Sequence, residues 1–146
     1  MCPICRVVFE WKPEYCVGTH SIDGQHQNLF AAARELHEAI GGPHSRLTVG
    51  RLLDRLIRYT QIHFRHEERL LEQSSYPELL RHRLEHEKLT TAVLALQQKY
   101  EAGGITTCEV GEVSTLLTNW LSHHIMEMDH HYVPYLKAAA EGSQYR

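Results

Sequence analysis

One run of residues, Trp120-Leu121-Ser122-His123-His124-Ile125-Met126-Glu127-Met128-Asp129-His130-His131-Tyr132, packs four histidines, a glutamate and an aspartate among large apolar side chains. Polar groups at that density do not persist on a buried helix face unless something binds them. The pattern recurs upstream as His63-x-x-x-Glu67 and His82-x-x-x-His86, and His26 occupies a slot that the surrounding apolar spacing assigns to the core. On a helix, residues i and i+4 lie about 40° apart on one face, so each pair can turn two donors toward one point. The candidate metal-ligating residues are His26, His63, Glu67, His82, His86, His124 and Asp129. So many donors exceed one tetrahedral zinc and suit two six-coordinate ions bridged by the carboxylates. No thiolate falls on an inner position, so the imidazoles and carboxylates make two bridged iron ions the expected cofactor.

Four helices are needed to position these residues. The first is predicted from an N-cap at Ser21 or Asp23 to the Gly41-Gly42-Pro43 stop, with His26, Leu29, Phe30, Ala33, Leu36 and Ile40 inward. The second runs from about Leu47 to Ser74, placing Leu53, Leu56, His63, Glu67, Leu70 and Leu71 on one side. The third follows Pro77 and reaches Gly103-Gly104, with Leu79, His82, His86, Leu89, Val93, Leu96 and Tyr100 as its seam. The fourth begins near Glu109 and ends around Ala140, with Val113, Leu116, Leu117, Trp120, Leu121, His124, Ile125, Met128 and Tyr132 inward. Short connections and no strand signal predict an all-α, up-down-up-down four-helix bundle. Residues 1–20 read as an N-terminal arm, 21–141 as the bundle domain and 142–146 as a frayed tail.

The last helix offers two His–acid pairs. His123 and Glu127 have the regular four-residue step, but they align with Asn119 and His130 on a polar face. His124 follows the apolar line of Trp120 and Leu121, yet Asp129 lies five residues on, about 140° away on an ideal helix. Choosing His124 and Asp129 requires either a local widening of the helix, such as a π-type turn, or a seam that crosses it obliquely.

In order along the chain stand Trp11, Gly18, Ile22-Asp23-x-Gln25-His26-x-x-Leu29, His63-Phe64-x-x-Glu67-Glu68, His82-x-x-x-His86 and Trp120-Leu121-x-x-His124-Ile125-x-x-x-Asp129-x-x-Tyr132. This series resembles the hemerythrin family, in particular its single-domain bacterial members, and covers most of the chain. The resemblance favours the five-residue step. It implies one iron held by His82, His86 and His124, a second by His26 and His63, and Glu67 and Asp129 bridging both with an oxo or hydroxo group. It also implies an oxygen pocket at the second iron, walled by Leu29, Phe30, Phe64, Trp120, Leu121 and Ile125. The implied function is reversible binding of dioxygen, held as a hydroperoxide, in transport, storage or scavenging rather than enzymatic turnover. A ligand set rich in histidine and poor in carboxylate also leans toward carrying oxygen over activating it. A peroxidase or a nitric oxide or peroxide detoxifying enzyme on the same centre is the alternative, and an oxygen-sensing module is a third.

The composition is compatible with this reading. Twelve of 146 residues are histidine, and the net charge is −3 with histidine neutral. No basic footprint exists for nucleic acid or an anionic membrane. The only apolar run before Trp11 is Val7-Val8-Phe9, too short for a signal core, which favours a cytoplasmic protein with reduced cysteines. Cys2-Pro3-Ile4-Cys5 lacks the second pair that a zinc site wants and the strand that a redox CxxC usually accompanies. It reads as terminal thiols or as a redox or metal element, and keeps a redox or oxygen-accepting protein partner in view. Asp23 reads as an N-cap or as support for a ligand imidazole, and Glu68 and Glu72 as solvated charges.

Overall fold

The computed structural model describes residues 10–143. After a short 3-10 turn at Pro13–Tyr15 come α1 (His20–Gly41), α2 (Arg46–Gln73) and α3 (Leu79–Glu101). The fourth rod consists of α4 (Thr107–His124), a π-helical turn (Ile125–Asp129) and α5 (His130–Ser143). The predicted all-α four-helix bundle is the fold found, with no strand among the described residues. None of the described helices is long and apolar enough to cross a membrane. The Cys2/Cys5 pair and residues 144–146 lie outside the described residues.

The helix ends follow local chemistry. Ser45 and Thr106 cap α2 and α4, accepting hydrogen bonds from the backbone N–H groups of Thr48 (3.2 Å) and Glu109 (3.1 Å). Helix α3 ends on Gly103, whose φ of 77° lets Gly104 N–H reach back to the Lys99 carbonyl at 2.8 Å. Helix α2 ends the same way without glycine. Ser75 takes φ 56° so that Tyr76 N–H can bond the Leu71 carbonyl at 3.0 Å. Helix α1 departs from expectation. It opens at His20, ahead of both proposed caps, and Asp23 instead accepts from Val17 N–H (2.8 Å) and Gly18 N–H (3.2 Å). That carboxylate pins the arm to the bundle.

Two apolar clusters fill the interior. The larger includes Leu29, Leu36, Leu53, Ile57, Val93, Leu96 and Val110, and the smaller is Val17, Ile22, Leu71, Tyr76 and Tyr132. Along each rod the candidate ligands fall between residues of the two clusters. A polar layer therefore crosses an otherwise apolar bundle, sealed above and below. The inward face of α4 is broader than the predicted one, whose Val113, Leu117 and Leu121 do pack against the larger cluster. Val110, Ser114 and Thr118 are buried, whereas Val113, Leu117, Trp120 and Leu121 are only half-buried. Small hydroxyl side chains carry no hydrophobic signal, yet Thr118 is accommodated because its hydroxyl donates to the Ser114 carbonyl at 3.0 Å. The thiols also differ. Cys16 is free and exposed, but Cys108 is disulfide-bonded, contrary to the expected fully reduced set.

Candidate metal centre

Seven ionisable side chains, His26, His63, Glu67, His82, His86, His124 and Asp129, meet in the polar layer, none more than 3% exposed. Helix α1 supplies His26, α2 supplies His63 and Glu67, and α3 supplies His82 and His86. His124 ends α4 and Asp129 ends the π turn. That turn reconciles the five-residue step. The His130 N–H reaches the Ile125 carbonyl five residues back, widening the helix so that His124 Nε2 and Asp129 Oδ1 stand 3.1 Å apart. His123 and Glu127, the competing pair, are exposed.

Two donor sets emerge. Glu67, His82, His86 and His124 form one; His26, His63, Glu67 and Asp129 form the other, with the donor atoms of each set all within 4.8 Å of one another. The carboxylates divide their oxygens between them. Glu67 Oε1 lies 2.6 Å from His82 Nε2 and 3.2 Å from His86 Nε2, while Oε2 lies 3.2 Å from His63 Nε2 and 3.6 Å from His26 Nε2. Asp129 Oδ1 lies 3.2 Å from His82 Nε2 and 3.1 Å from His124 Nε2, while Oδ2 lies 3.3 Å from His26 Nε2.

Charge is concentrated here. Burial and the Glu67 charge push the Asp129 carboxyl up, but the imidazoles of His124, His26 and His82 hold it well below the usual carboxylate range. Burial also acts against ionised Glu67, and His63, His26 and His82 outweigh it in the same way. Burial pushes His26 and His82 down, yet the two carboxylates together raise them to about 9 and about 10. Burial wins at His63, which is lowered.

Around the donors sits a supporting ring. With Nδ1 protonated, His63 donates to Gln25 Oε1 (2.8 Å) and His86 donates to Glu68 Oε2 (2.9 Å), which leaves each Nε2 lone pair facing the centre. Tyr132 donates its hydroxyl to Glu67 Oε2 at 3.1 Å. Glu68 is therefore no solvated charge. It braces His86 and is itself held by Arg83 at 3.3 Å, whereas Glu72 stays outside on Arg83. Nothing in the linear spacing joins Glu68 to His86; adjacency to Glu67 was the only signal. Gln25 carried a weak one, standing next to His26.

Of the six expected pocket residues, Leu29 and Leu121 line an apolar cavity of about 40 Å³, one helical turn from the centre, together with Ala33, Thr60, Leu89 and Thr118 among others. The other four lie elsewhere. Phe64 stacks on His86 with ring centroids 3.7 Å apart, and Trp120 stacks on His124 at 4.6 Å. Phe30 packs against Trp11 and Tyr15, and Ile125 is fully buried at the start of the π turn. The aromatic residues orient imidazole rings, and the cavity is left to smaller side chains. The Thr60 and Thr118 hydroxyls bond carbonyls of their own helices, so they present methyl groups to it.

A helical bundle that buries two imidazole–carboxylate donor sets between apolar layers defines a metal-binding four-helix protein. The hemerythrin HHE cation binding domain matches residues 17–136. The chain belongs to the hemerythrin family. It is 34% identical to a bacteriohemerythrin of Methylococcus capsulatus (strain Bath) over 117 residues, 80% of this chain and 86% of that one. A bacteriohemerythrin of Stenotrophomonas maltophilia (strain R551-3) is 31% identical over 128 residues, 88% of this chain and 81% of that one. A crystal structure of wild-type hemerythrin superposes with a TM-score of 0.81 at 28% identity, covering 89% of this chain and 98% of that chain.

Proposed function

We propose that this chain is a non-heme di-iron protein that binds dioxygen reversibly. His82, His86 and His124 hold one iron, His26 and His63 hold the other, and Glu67 and Asp129 bridge them. The observation that carries the reading is the division of each carboxylate, one oxygen turned to each donor set. A second observation supports cations over a merely hydrogen-bonded polar core. Nδ1 of His26 is buried without a hydrogen-bond partner, and His26 Nε2 and both Asp129 oxygens face only the other ionisable groups of the layer. Taking so many ionisable groups out of water is costly, and ligation offsets that cost.

When bound, two ferrous ions supply the two electrons that dioxygen accepts. The protein contributes the asymmetry and the surroundings. With both carboxylates shared, the ion on His26 and His63 would have one protein donor fewer than the ion on His82, His86 and His124, which leaves room for a small ligand on that side. The apolar cavity beside Leu29 and Leu121 admits a diatomic molecule while offering water no polar partners. Tyr132 holds one oxygen of Glu67 in place, and Gln25 and Glu68 fix two rings.

The test is stopped-flow spectroscopy of the reduced, iron-loaded protein mixed with oxygen. A visible band that persists and disappears on deoxygenation is expected. Rapid bleaching with turnover would replace the carrier reading with an oxidase or peroxide-detoxifying one. His63→Ala and His86→Ala are each expected to lose two-iron occupancy, and full iron content in both would overturn the ligand assignment.

A further inference from the structure

We propose that Tyr132, Tyr76 and Tyr135 form a relay that carries oxidising equivalents from the metal centre to the protein surface when the centre meets a peroxide. The inference rests on the di-iron reading above. Tyr132 is fully buried, and its hydroxyl donates to Glu67 Oε2 at 3.1 Å. Its ring meets Tyr76 edge to face, with centroids 6.3 Å apart and planes at 86°. Tyr76 meets Tyr135 in the same manner at 5.1 Å and 68°. Tyr135 is 41% exposed and faces solvent. Three phenols thus run in contact from a bridging carboxylate to the outside.

Phenol is among the most easily oxidised protein side chains, and the three rings stand in unbroken edge-to-face contact. Tyr132 forms the inner end of the row, its hydroxyl held on Glu67 Oε2 at 3.1 Å. Tyr76, 8% exposed, borders a cleft with Arg81, Glu127 and His131, and Tyr135 opens to bulk water. Trp120 and Trp11 also lie against ligand imidazoles, His124 and His26, but neither is hydrogen-bonded to a bridging carboxylate. Of these aromatic contacts, only the tyrosine row joins a bridging carboxylate to an exposed ring.

The balance is closed with hydrogen peroxide as oxidant. One peroxide takes up two electrons and two protons and becomes two waters. Two Tyr135 phenols, on two copies of the chain, each give up one electron and the hydroxyl proton. The two radicals join through one carbon–carbon bond between ring positions beside the hydroxyls, and the displaced ring hydrogens return to the oxygens. With a one-electron reductant in solution, Tyr135 is refilled and the oxidation leaves the protein without damage to the ligand histidines.

The experiment treats the iron-loaded protein with hydrogen peroxide and reads dityrosine fluorescence, cross-linked dimer and the mapped position of the cross-link. Iron content is measured on every sample. Wild type is expected to form a Tyr135–Tyr135 cross-link, and zinc-loaded protein to form none. Tyr135→Phe and Tyr76→Phe are expected to lose the cross-link while retaining iron. Undiminished cross-linking in Tyr76→Phe overturns the relay, as does oxidation mapped to Trp120 or Trp11 in its place, or an iron-loaded wild type that forms no dityrosine. A wild type that holds no iron overturns the di-iron reading and the relay with it.

Discussion

Glu67→Gln is the sharpest perturbation of the centre, because the change is nearly isosteric and Glu67 touches both donor sets. In the metal-free protein, Glu67 Oε1 accepts from the protonated His82 at 2.6 Å, and the buried pair carries opposite charges. A hydrogen bond between charged groups is worth about 1.5–3 kcal/mol, so the metal-free variant is expected to be less stable by about 2 kcal/mol. For a chain of 146 residues that lowers the melting temperature by about 4–8 °C at pH 7. The effect on metal is larger. Four-ligand sites bind with roughly 10–16 kcal/mol, or about 3–4 kcal/mol per ligand, so losing one anionic donor weakens a site about a hundred- to a thousandfold. Because the same residue serves both sets, both ions should weaken together. Iron per chain by elemental analysis and a chelator-competition titration read the two effects. Two iron per chain with a competition midpoint shifted less than about tenfold would refute the bridging role.

Glu68→Gln removes the charged brace from His86 and is expected to weaken metal binding about 10–100-fold, read by the same chelator titration, with little change in unfolding because Glu68 is half-buried. At pH 7 the metal-free protein carries protons on His26 and His82, raised to about 9 and about 10, so loading iron should release about two protons per chain into a weakly buffered indicator solution. By the same linkage, those raised values stabilise the metal-free fold fully below about pH 6.5, and the contribution fades as pH rises through 9 to 10, so denaturant midpoints of metal-free protein should fall over that window. Ser75→Gly relieves a left-handed backbone at φ 56° and should stabilise the protein by about 0.5–1 kcal/mol in urea unfolding.

What could be read from the chain before its structure depended on how local the cause was. Stops such as Gly41-Gly42-Pro43 and Gly103-Gly104 act through their own backbone, so the number and approximate limits of the helices were legible. Facing was legible where burial coincides with apolar type, as in Leu29, Leu36, Leu53 and Val93. It was incomplete on α4, because Ser114 and Thr118 are small enough to be buried, the Thr118 hydroxyl bonding the Ser114 carbonyl, while the bulkier Val113, Leu117 and Leu121 pack at the edge of the core. It failed at the start of α1 because Asp23 serves the arm's backbone and not the helix end, a contact that depends on where the arm folds back.

The centre shows the same division more sharply. Ionisable residues on apolar lines betray themselves, since burial without partners is too costly to be incidental, and the seven donors meet for that reason. The Asp129 step was the exception to regular spacing, and its irregularity was informative. An aspartate out of phase with an α-helix can reach the centre only if the backbone widens, and the π turn at Ile125–Asp129 is that widening. The braces were not legible, because they obey no spacing rule. Glu68 reaches His86 across two helices, and Phe64 and Trp120 cover imidazole rings where a pocket wall was expected. Donors are selected by what they would cost unpaired, whereas braces and cavity walls are selected by the rotation of one helix against another. The consequence for engineering is that swapping donors alone cannot transplant this centre. A bundle given the seven donors without the π turn would leave His124 and Asp129 on different faces, and one given both without Glu68 and Gln25 would leave His86 and His63 free to turn.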